Sequence, residues 1–291
     1  VSRDAIVAAA QESIQRGSKS FRAASRLFDP VTRERAWLLY AWCRHCDDVA
    51  DGQVSGFGIG QHAPGNVAGL REQTERAVAG LPVEGTAFEG LKLLLSECPI
   101  PSRFLDDHLQ GFELDAAGWQ PDSEADLITY CYHVAGAVGC MMAVLMGVDP
   151  DDQPTLRSAA DLGIAFQLSN IARDVREDWA AGRCYLPRQW LEQAGVTQES
   201  LFDPDNVTAL TAFVGRLVDE VERREERARA GVARLPFRSR LAVLAALRIY
   251  GAIGRRVRAL GASAWDQRVT VGKGRKLAFV VPSVAEALVR R

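Results

Sequence analysis

Two acidic clusters set in otherwise apolar stretches carry the clearest chemistry in this chain. The first reads Cys43-Arg44-His45-Cys46-Asp47-Asp48-Val49-Ala50-Asp51, and the second Gln167-Leu168-Ser169-Asn170-Ile171-Ala172-Arg173-Asp174-Val175-Arg176-Glu177-Asp178. Residues four apart share one face of a helix, so Asp47 projects with Asp51, and Asn170 with Asp174 and Asp178. Crowded carboxylates repel one another and would repel a phosphate. They belong together if hard divalent cations lie between them, as Mg²⁺ does when held through a few carboxylates and the phosphates of a substrate. Two such faces predict one cavity in which magnesium holds a diphosphate. A lone Asp-x-x-x-Asp more often marks a solvated face. Here the flanks Ala36-Trp37-Leu38-Leu39-Tyr40-Ala41-Trp42 and Leu162, Ile164, Phe166, Leu168 and Ile171 are apolar on nearly every side, as in buried helices, where carboxylates need partners.

Cations accompany both clusters. Arg44 precedes Asp47 by one turn, Arg173 adjoins Asp174, and Arg183 follows shortly. They can pair with the carboxylates, and their planar forks suit a diphosphate leaving group equally well. Gly17-Ser18-Lys19-Ser20-Phe21 places hydroxyls and an ammonium in one short run, a pattern more common on a plain helix surface. All five tyrosines, Tyr40, Tyr130, Tyr132, Tyr185 and Tyr250, lie in or beside apolar segments. Amphipathic packing explains that; so does a cavity whose ring faces shelter a carbocation.

Other patterns carry less. Cys43-x-x-Cys46 has no second pair at zinc-finger spacing. Gly56-Phe57-Gly58-Ile59-Gly60 follows no strand and lacks a βαβ unit, so no nicotinamide site is expected. His133 reads as the one histidine in a buried pattern, with a hydrogen-bonded core role as its default.

The elements that must position these groups are helical; β-branched alternation between turns is scarce. Helices are predicted over 4–27, 32–50, 67–80, 84–97, from Pro101 to about Asp115, and over 123–147, 153–180, 187–194, 205–232 and 237–261, with a glycine-rich loop at 51–66. Asp122-Ser123-Glu124 should cap the 123–147 helix, and Gly182 should end 153–180. The apolar run Cys131–Val148 is at the short limit for a membrane span, and its small residues and His133 favour a buried helix instead. The expectation is one all-α domain over residues 1–291, a helical bundle with a central cavity. With 35 basic and 37 acidic side chains and a net charge of −2, the chain has no general footprint for nucleic acid. Six scattered cysteines fit a reducing, cytoplasmic compartment, and no signal peptide is apparent.

Taken together, Tyr40-x-x-Cys43-Arg44-x-x-Asp47-Asp48-x-x-Asp51, Tyr130-Cys131-Tyr132-His133-Val134-Ala135-Gly136-Ala137-Val138-Gly139, the second acidic cluster and Gly182-Arg183-Cys184-Tyr185-Leu186-Pro187 resemble the squalene/phytoene synthase family. Longer strings, among them Ala264-Trp265-Asp266-Gln267-Arg268, resemble its bacterial phytoene synthase branch. The likeness runs from about Ser18 to Arg268. It implies an isoprenoid-synthase-type all-α fold. It also implies head-to-head condensation of two geranylgeranyl diphosphates, through prephytoene diphosphate, to phytoene. The same chemistry on farnesyl diphosphate, giving dehydrosqualene or squalene, is the alternative, with the choice resting on cavity depth beside Ala135, Gly136 and Gly139. By resemblance, Asp47, Asp51, Asn170, Asp174 and Asp178 would hold Mg²⁺, or Mn²⁺ in its place. Ser18, Ser20, Arg44, Gln167, Arg173 and Arg183 would contact diphosphate. Phe21, Tyr40, Tyr130, Tyr185 and Tyr250 would border the reacting carbons. A substrate and product of this length lead to the expectation of peripheral contact with the inner face of a membrane, for which Lys273-Gly274-Arg275-Lys276 and the apolar residues after it are the candidate.

Overall fold

The computed structural model describes residues 2–50 and 64–289, and all the regular elements among them are helical. Ser2 caps α1 (Arg3–Gly17), its hydroxyl accepting the amide of Ala5. The helix predicted over 4–27 is two helices. The chain breaks at Ser18, whose backbone is extended (φ −144°, ψ 105°) and whose hydroxyl accepts the Phe21 amide at 3.1 Å to start α2 (Lys19–Ser25). The break places Gly17 directly against the Tyr40 hydroxyl, where any Cβ would collide with that ring. α3 (Pro30–Ala50) begins with Pro30 in the first turn, where a missing N–H costs nothing, and Asp29 accepts the amides of Val31 and Thr32 at 3.0 Å each.

α4 (Pro64–Val78), α5 (Thr86–Glu97) and α6 (Ser102–Ala116) follow. The helix predicted over 123–147 is a rod with an interruption: α7 (Glu124–Cys131), a π turn (Tyr132–Gly136) and α8 (Ala137–Leu145). A capping box between Ser123 and Asp126 opens it. The rod is long and apolar enough to cross a membrane, but Leu127, Cys131, Ala137, Cys140, Met141 and Leu145 are buried against neighbouring helices, which makes it a core element. α9 (Gln153–Ala180) is capped by Asp152 and ends before Gly182 at φ +76°, a left-handed position that glycine occupies without strain. α10 (Arg188–Ala194), α11 (Val207–Val232), α12 (Phe237–Leu260), α13 (Lys273–Ala278) and α14 (Val280–Val289) complete the series.

α9 is the hub: the π turn and α8 pack on one side of it, α11 and α12 on the other. The first contact is unusually tight. A Cβ on Gly163 would run into the Ala135 carbonyl, lying 2.6 Å from its carbon, and one on Gly139 would meet the Ala159 carbonyl. Gly139, one of the residues expected beside the cavity, lines it and also lets these backbones approach. A second hub, α3, packs on α1 and α5 around the fully buried Trp42, Leu38 and Leu39.

His133 has its expected core role, with Nδ1 3.0 Å from the Asp107 carbonyl. It is not the only buried histidine. His108 on α6 is 3% exposed and packs between Trp42 and Phe112. Its Nδ1 lies 3.3 Å from the His133 carbonyl, which can only accept, so Nδ1 carries the proton. Burial pushes its pKa down to about 4. The folded state therefore refuses a proton that the unfolded chain takes up below about pH 6.5. The stabilisation from His108 is complete above that pH and is lost progressively as pH falls towards 4. Between pH 7 and 5, wild type should lose roughly 2 kcal/mol more stability than His108→Leu. Urea unfolding of both proteins at the two pH values checks this, and parallel losses would refute it.

Candidate active site

A cavity of about 520 Å³ lies between α3 and α9, within the size range of small-molecule sites. Its deep end is lined by apolar side chains of α8, α9, α11 and α12, among them Met142, Met146, Leu162, Val232 and Ile249. Its other end collects polar groups from four directions. α3 contributes Tyr40, Arg44 and Asp47, spaced four and three residues apart and so on one face; α9 contributes Gln167 and Asn170; Ser18 and Phe21 come from the α1–α2 junction; Tyr250 comes from α12. Tyr130 and Asp115 close the wall from α7 and α6.

Helix geometry explains the gathering. On α9, Ile164, Leu168, Ile171, Ala172 and Val175 are buried on the packed side, leaving the Gln167–Asn170–Asp174–Asp178 line for the opposite one. On α3, Ala36, Leu39, Trp42 and Cys46 do the same for Tyr40, Arg44 and Asp47. Phe21 packs on the Tyr40 ring at 5.6 Å, and Phe166 stacks on Tyr250 at 4.1 Å, so the aromatic faces at the polar end are fixed. Burial pushes the Tyr40 hydroxyl up to about 12, Arg44 opposing, so it is neutral at ordinary pH. Ser18 spends a lone pair on its cap and keeps its O–H to donate.

The arginines hold the carboxylates in place. Arg44 donates to Asp47 at 2.7 Å and to Asp48. Its Nε is buried with no hydrogen-bond partner. Arg173 forks onto both oxygens of Asp174, with Nε at 2.7 Å, and Arg268 reaches the same carboxylate at 3.1 Å from the far end of the chain. The Asp178 carboxyl is pushed up to about 7, first by burial and then by Asp174 and Glu177, with Arg183 opposing. Asp178, Arg183 and Tyr185 border a separate, much smaller void and do not line the main cavity.

These groups fit a hard divalent ion held with a ligand. Their donors are carboxylate and amide oxygens, and the Asp178 carboxyl, raised chiefly by burial, is one that a neighbouring cation would keep ionised. Among the described residues no three acidic, His or Cys side chains converge closely enough to hold a metal unaided. That is the usual arrangement for Mg²⁺, which takes one or two carboxylates and completes its shell from phosphate and water.

The structure thus brings Ser18, Phe21, Tyr40, Arg44, Asp47, Tyr130, Gln167, Asn170 and Tyr250 to one cavity, and sets Arg173 and Asp174 on the same helix as its α9 wall. Tyr185 joins through Asp115, which also lines the cavity. Asp51 and the glycine-rich loop lie outside the described residues, as does the side chain of Ser20. Two participants escaped sequence reasoning: Asp115 and the Arg268–Asp174 pair. Asp115 ends an amphipathic helix in a run, Glu113-Leu114-Asp115, that reads as solvent-facing. Arg268 sits in the Ala264–Arg268 string already noted, which could have flagged it.

The family model for squalene/phytoene synthase matches residues 14–275. The 15-cis-phytoene synthase of Pantoea ananas is 44% identical over 97% of this chain and 92% of its own length. The phytoene synthase of Rhodobacter capsulatus is 37% identical over 95% and 80%. Among solved structures, a dehydrosqualene synthase in complex with ligand superposes with a TM-score of 0.87 at 27% identity, covering 98% of each chain. The squalene synthase HpnC from Alicyclobacillus acidocaldarius, at 22% identity over 88% of this chain and 94% of its own, gives 0.76 and shares the all-α fold.

Proposed function

The chain belongs to the squalene/phytoene synthase family, and from that we propose that it joins two geranylgeranyl diphosphates head to head, through prephytoene diphosphate, to give phytoene and free diphosphate. The observation that carries this is an apolar cavity with Arg44, the carboxylates of Asp47 and Asp115 and the amides of Gln167 and Asn170 along its lining, in a chain 44% identical to a phytoene synthase over nearly its whole length. The farnesyl diphosphate alternative is less well supported: the dehydrosqualene synthase structure is 27% identical, against 44% for the phytoene synthase.

In this reading Asp47, Asn170, Asp174 and Asp178 would hold Mg²⁺, which supplies positive charge against the departing diphosphate. Asp51, by resemblance, joins them. Arg44, Arg173 and Arg183 complement the same anion, with Ser18, Ser20 and Gln167 donating to its oxygens. Ionisation leaves an allylic cation, which the faces of Phe21, Tyr40, Tyr130, Tyr185 and Tyr250 shelter. The double bond of the second molecule attacks it, and proton loss closes a cyclopropane. A second ionisation rearranges the ring, and loss of another proton forms the central triene with no hydride donor. The apolar walls keep water from trapping the cation as an alcohol.

Purified protein incubated with geranylgeranyl diphosphate and Mg²⁺, without nicotinamide, should yield phytoene and should prefer this substrate to farnesyl diphosphate in competition. No C40 product, or a preference for the shorter chain, would refute the reading.

A cytoplasmic protein with peripheral membrane contact completes the proposal. Leu277 and Val281 are each 73% exposed beside Arg275 and Lys276. Apolar side chains beside cations suit an anionic lipid surface. Co-sedimentation with anionic vesicles should be seen at low salt and should weaken in Leu277→Asp/Val281→Asp; equal binding of both proteins would remove this surface from the proposal.

A further inference from the structure

Three aromatic rings form a column beside the cavity: Trp119 stacks on Tyr130 at 5.4 Å, and Tyr130 on Tyr185 at 5.0 Å with 19° between planes. Both tyrosyl hydroxyls end on one carboxylate. Tyr130 donates to Asp115 at 3.0 Å from either oxygen, and Tyr185 donates to Oδ1 at 2.9 Å. A hydroxyl has one proton. The two hydroxyls are also within hydrogen-bond reach of each other. With its proton on Asp115, Tyr130 cannot donate to a leaving diphosphate and has a lone pair left to accept with. Burial, reinforced by the charge of Asp115, raises the Tyr130 hydroxyl well above its ordinary range, so it stays a neutral phenol.

We infer that Asp115 is a positioning residue for proton removal: it turns Tyr130 into an acceptor facing the cavity and receives the relayed proton. The inference rests on the phytoene reading above and adds the residue that completes its final step. In that step the electron pair of a C–H bond beside the cationic carbon becomes the new double bond. The proton passes to Tyr130 Oη, whose own proton moves along the 3.0 Å hydrogen bond to the Asp115 carboxylate. Charge balances: the cation is quenched, the phenol stays neutral, and Asp115 becomes a carboxylic acid. No oxidant or reductant is needed. Placing the acceptor in the cavity wall also spares water that role, which matters where water would capture the cation.

The test compares wild type, Asp115→Asn, Tyr130→Phe and the double variant with geranylgeranyl diphosphate and Mg²⁺, measuring kcat, KM and all isoprenoid products. Asparagine keeps the shape, but its amide donates towards one tyrosine and it cannot take up a proton. Asp115→Asn should lower kcat for phytoene by about a hundredfold, the scale of general base assistance, with KM nearly constant. Prephytoene diphosphate or water-captured alcohols should rise at the expense of phytoene. A merely structural residue would lower the rate without moving that ratio. The double variant should be no slower than the slower single one, because both residues act through one path. Losses that multiply, or an unchanged product ratio in Asp115→Asn, overturn the inference and leave the phytoene reading intact. If wild type makes no phytoene, both fall. Should Asp115→Asn fail to fold, Tyr130→Phe decides: unchanged rate and products overturn the relay, and the shifted product ratio supports it.

Discussion

Asp174→Asn is expected to reduce phytoene formation about a thousandfold with saturating substrate and Mg²⁺; circular dichroism should show the helices retained, with a lowered thermal midpoint because Arg173 and Arg268 lose their anionic partner. The size of the loss follows from how many positive groups converge on that carboxylate. Arg173 grips both of its oxygens, Arg268 reaches it at 3.1 Å, and the side chain is only 18% exposed. Asp178 stands one turn further on, where burial above all pushes its carboxyl up, with Arg183 opposing. Asparagine preserves the volume and one acceptor oxygen, so the helix keeps its packing while the site loses its anionic charge. The fold should survive because α9 is held by Ile164, Leu168, Ile171 and Val175 on its other side. Steady-state rates alongside unfolding curves separate the two effects. Near-normal turnover in the folded variant would show that the second acidic cluster is a salt-bridged scaffold and would remove it from the metal assignment.

The acidic clusters were legible because two independent signals coincided: carboxylates at helical spacing, and flanks too apolar for a solvated helix. The helices themselves were legible for the same reason, since periodicity and caps are local properties. What the sequence concealed was decided by distant groups. The break at Ser18 had only a short local signal, a glycine followed by an N-cap serine inside a continuing helical pattern; the Tyr40 hydroxyl of α3, packed on Gly17, belongs with that break. Asp115 looks like a surface residue until Tyr130 and Tyr185 arrive from 15 and 70 positions away. His108 is a different case. Phe104, Leu105, His108, Leu109 and Phe112 are spaced by helical turns on the buried face of α6, so the pattern was present and the histidine belonged to it. The π turn within the rod also has no visible local cause; neither proline nor a glycine pair stands at its start.

Gly163→Val should be strongly destabilising, because its obstacle is backbone. The new Cβ would run into the Ala135 carbonyl, 2.6 Å from the carbon and 2.9 Å from the Gly136 Cα, and none of these atoms can swing aside as a side-chain tip would. Relief requires α9 to move away from the π turn, opening a gap along a contact that Gly139 has made equally close one turn on. Overpacking of this kind costs about 3 kcal/mol or more, which for a chain of this size lowers the melting temperature by roughly 6–12 °C. Gly215→Ala is the matching control. That glycine lies within α11 with nothing inside 4 Å of its missing Cβ, so alanine adds helix propensity without a clash and should stabilise by up to about 1 kcal/mol. The opposite signs test the packing explanation itself, since both glycines are helical and propensity alone would favour either replacement. The effect on chemistry should follow the effect on packing. Gln167 and Asn170 stand one and two turns along α9 from Gly163, so a displaced helix carries the polar end of the cavity with it. Gly163→Val should therefore lose activity at temperatures where it is still folded. A Gly163 variant as stable as Gly215→Ala would mean that the two backbones are not in contact there, and that the cavity wall is not fixed by that contact.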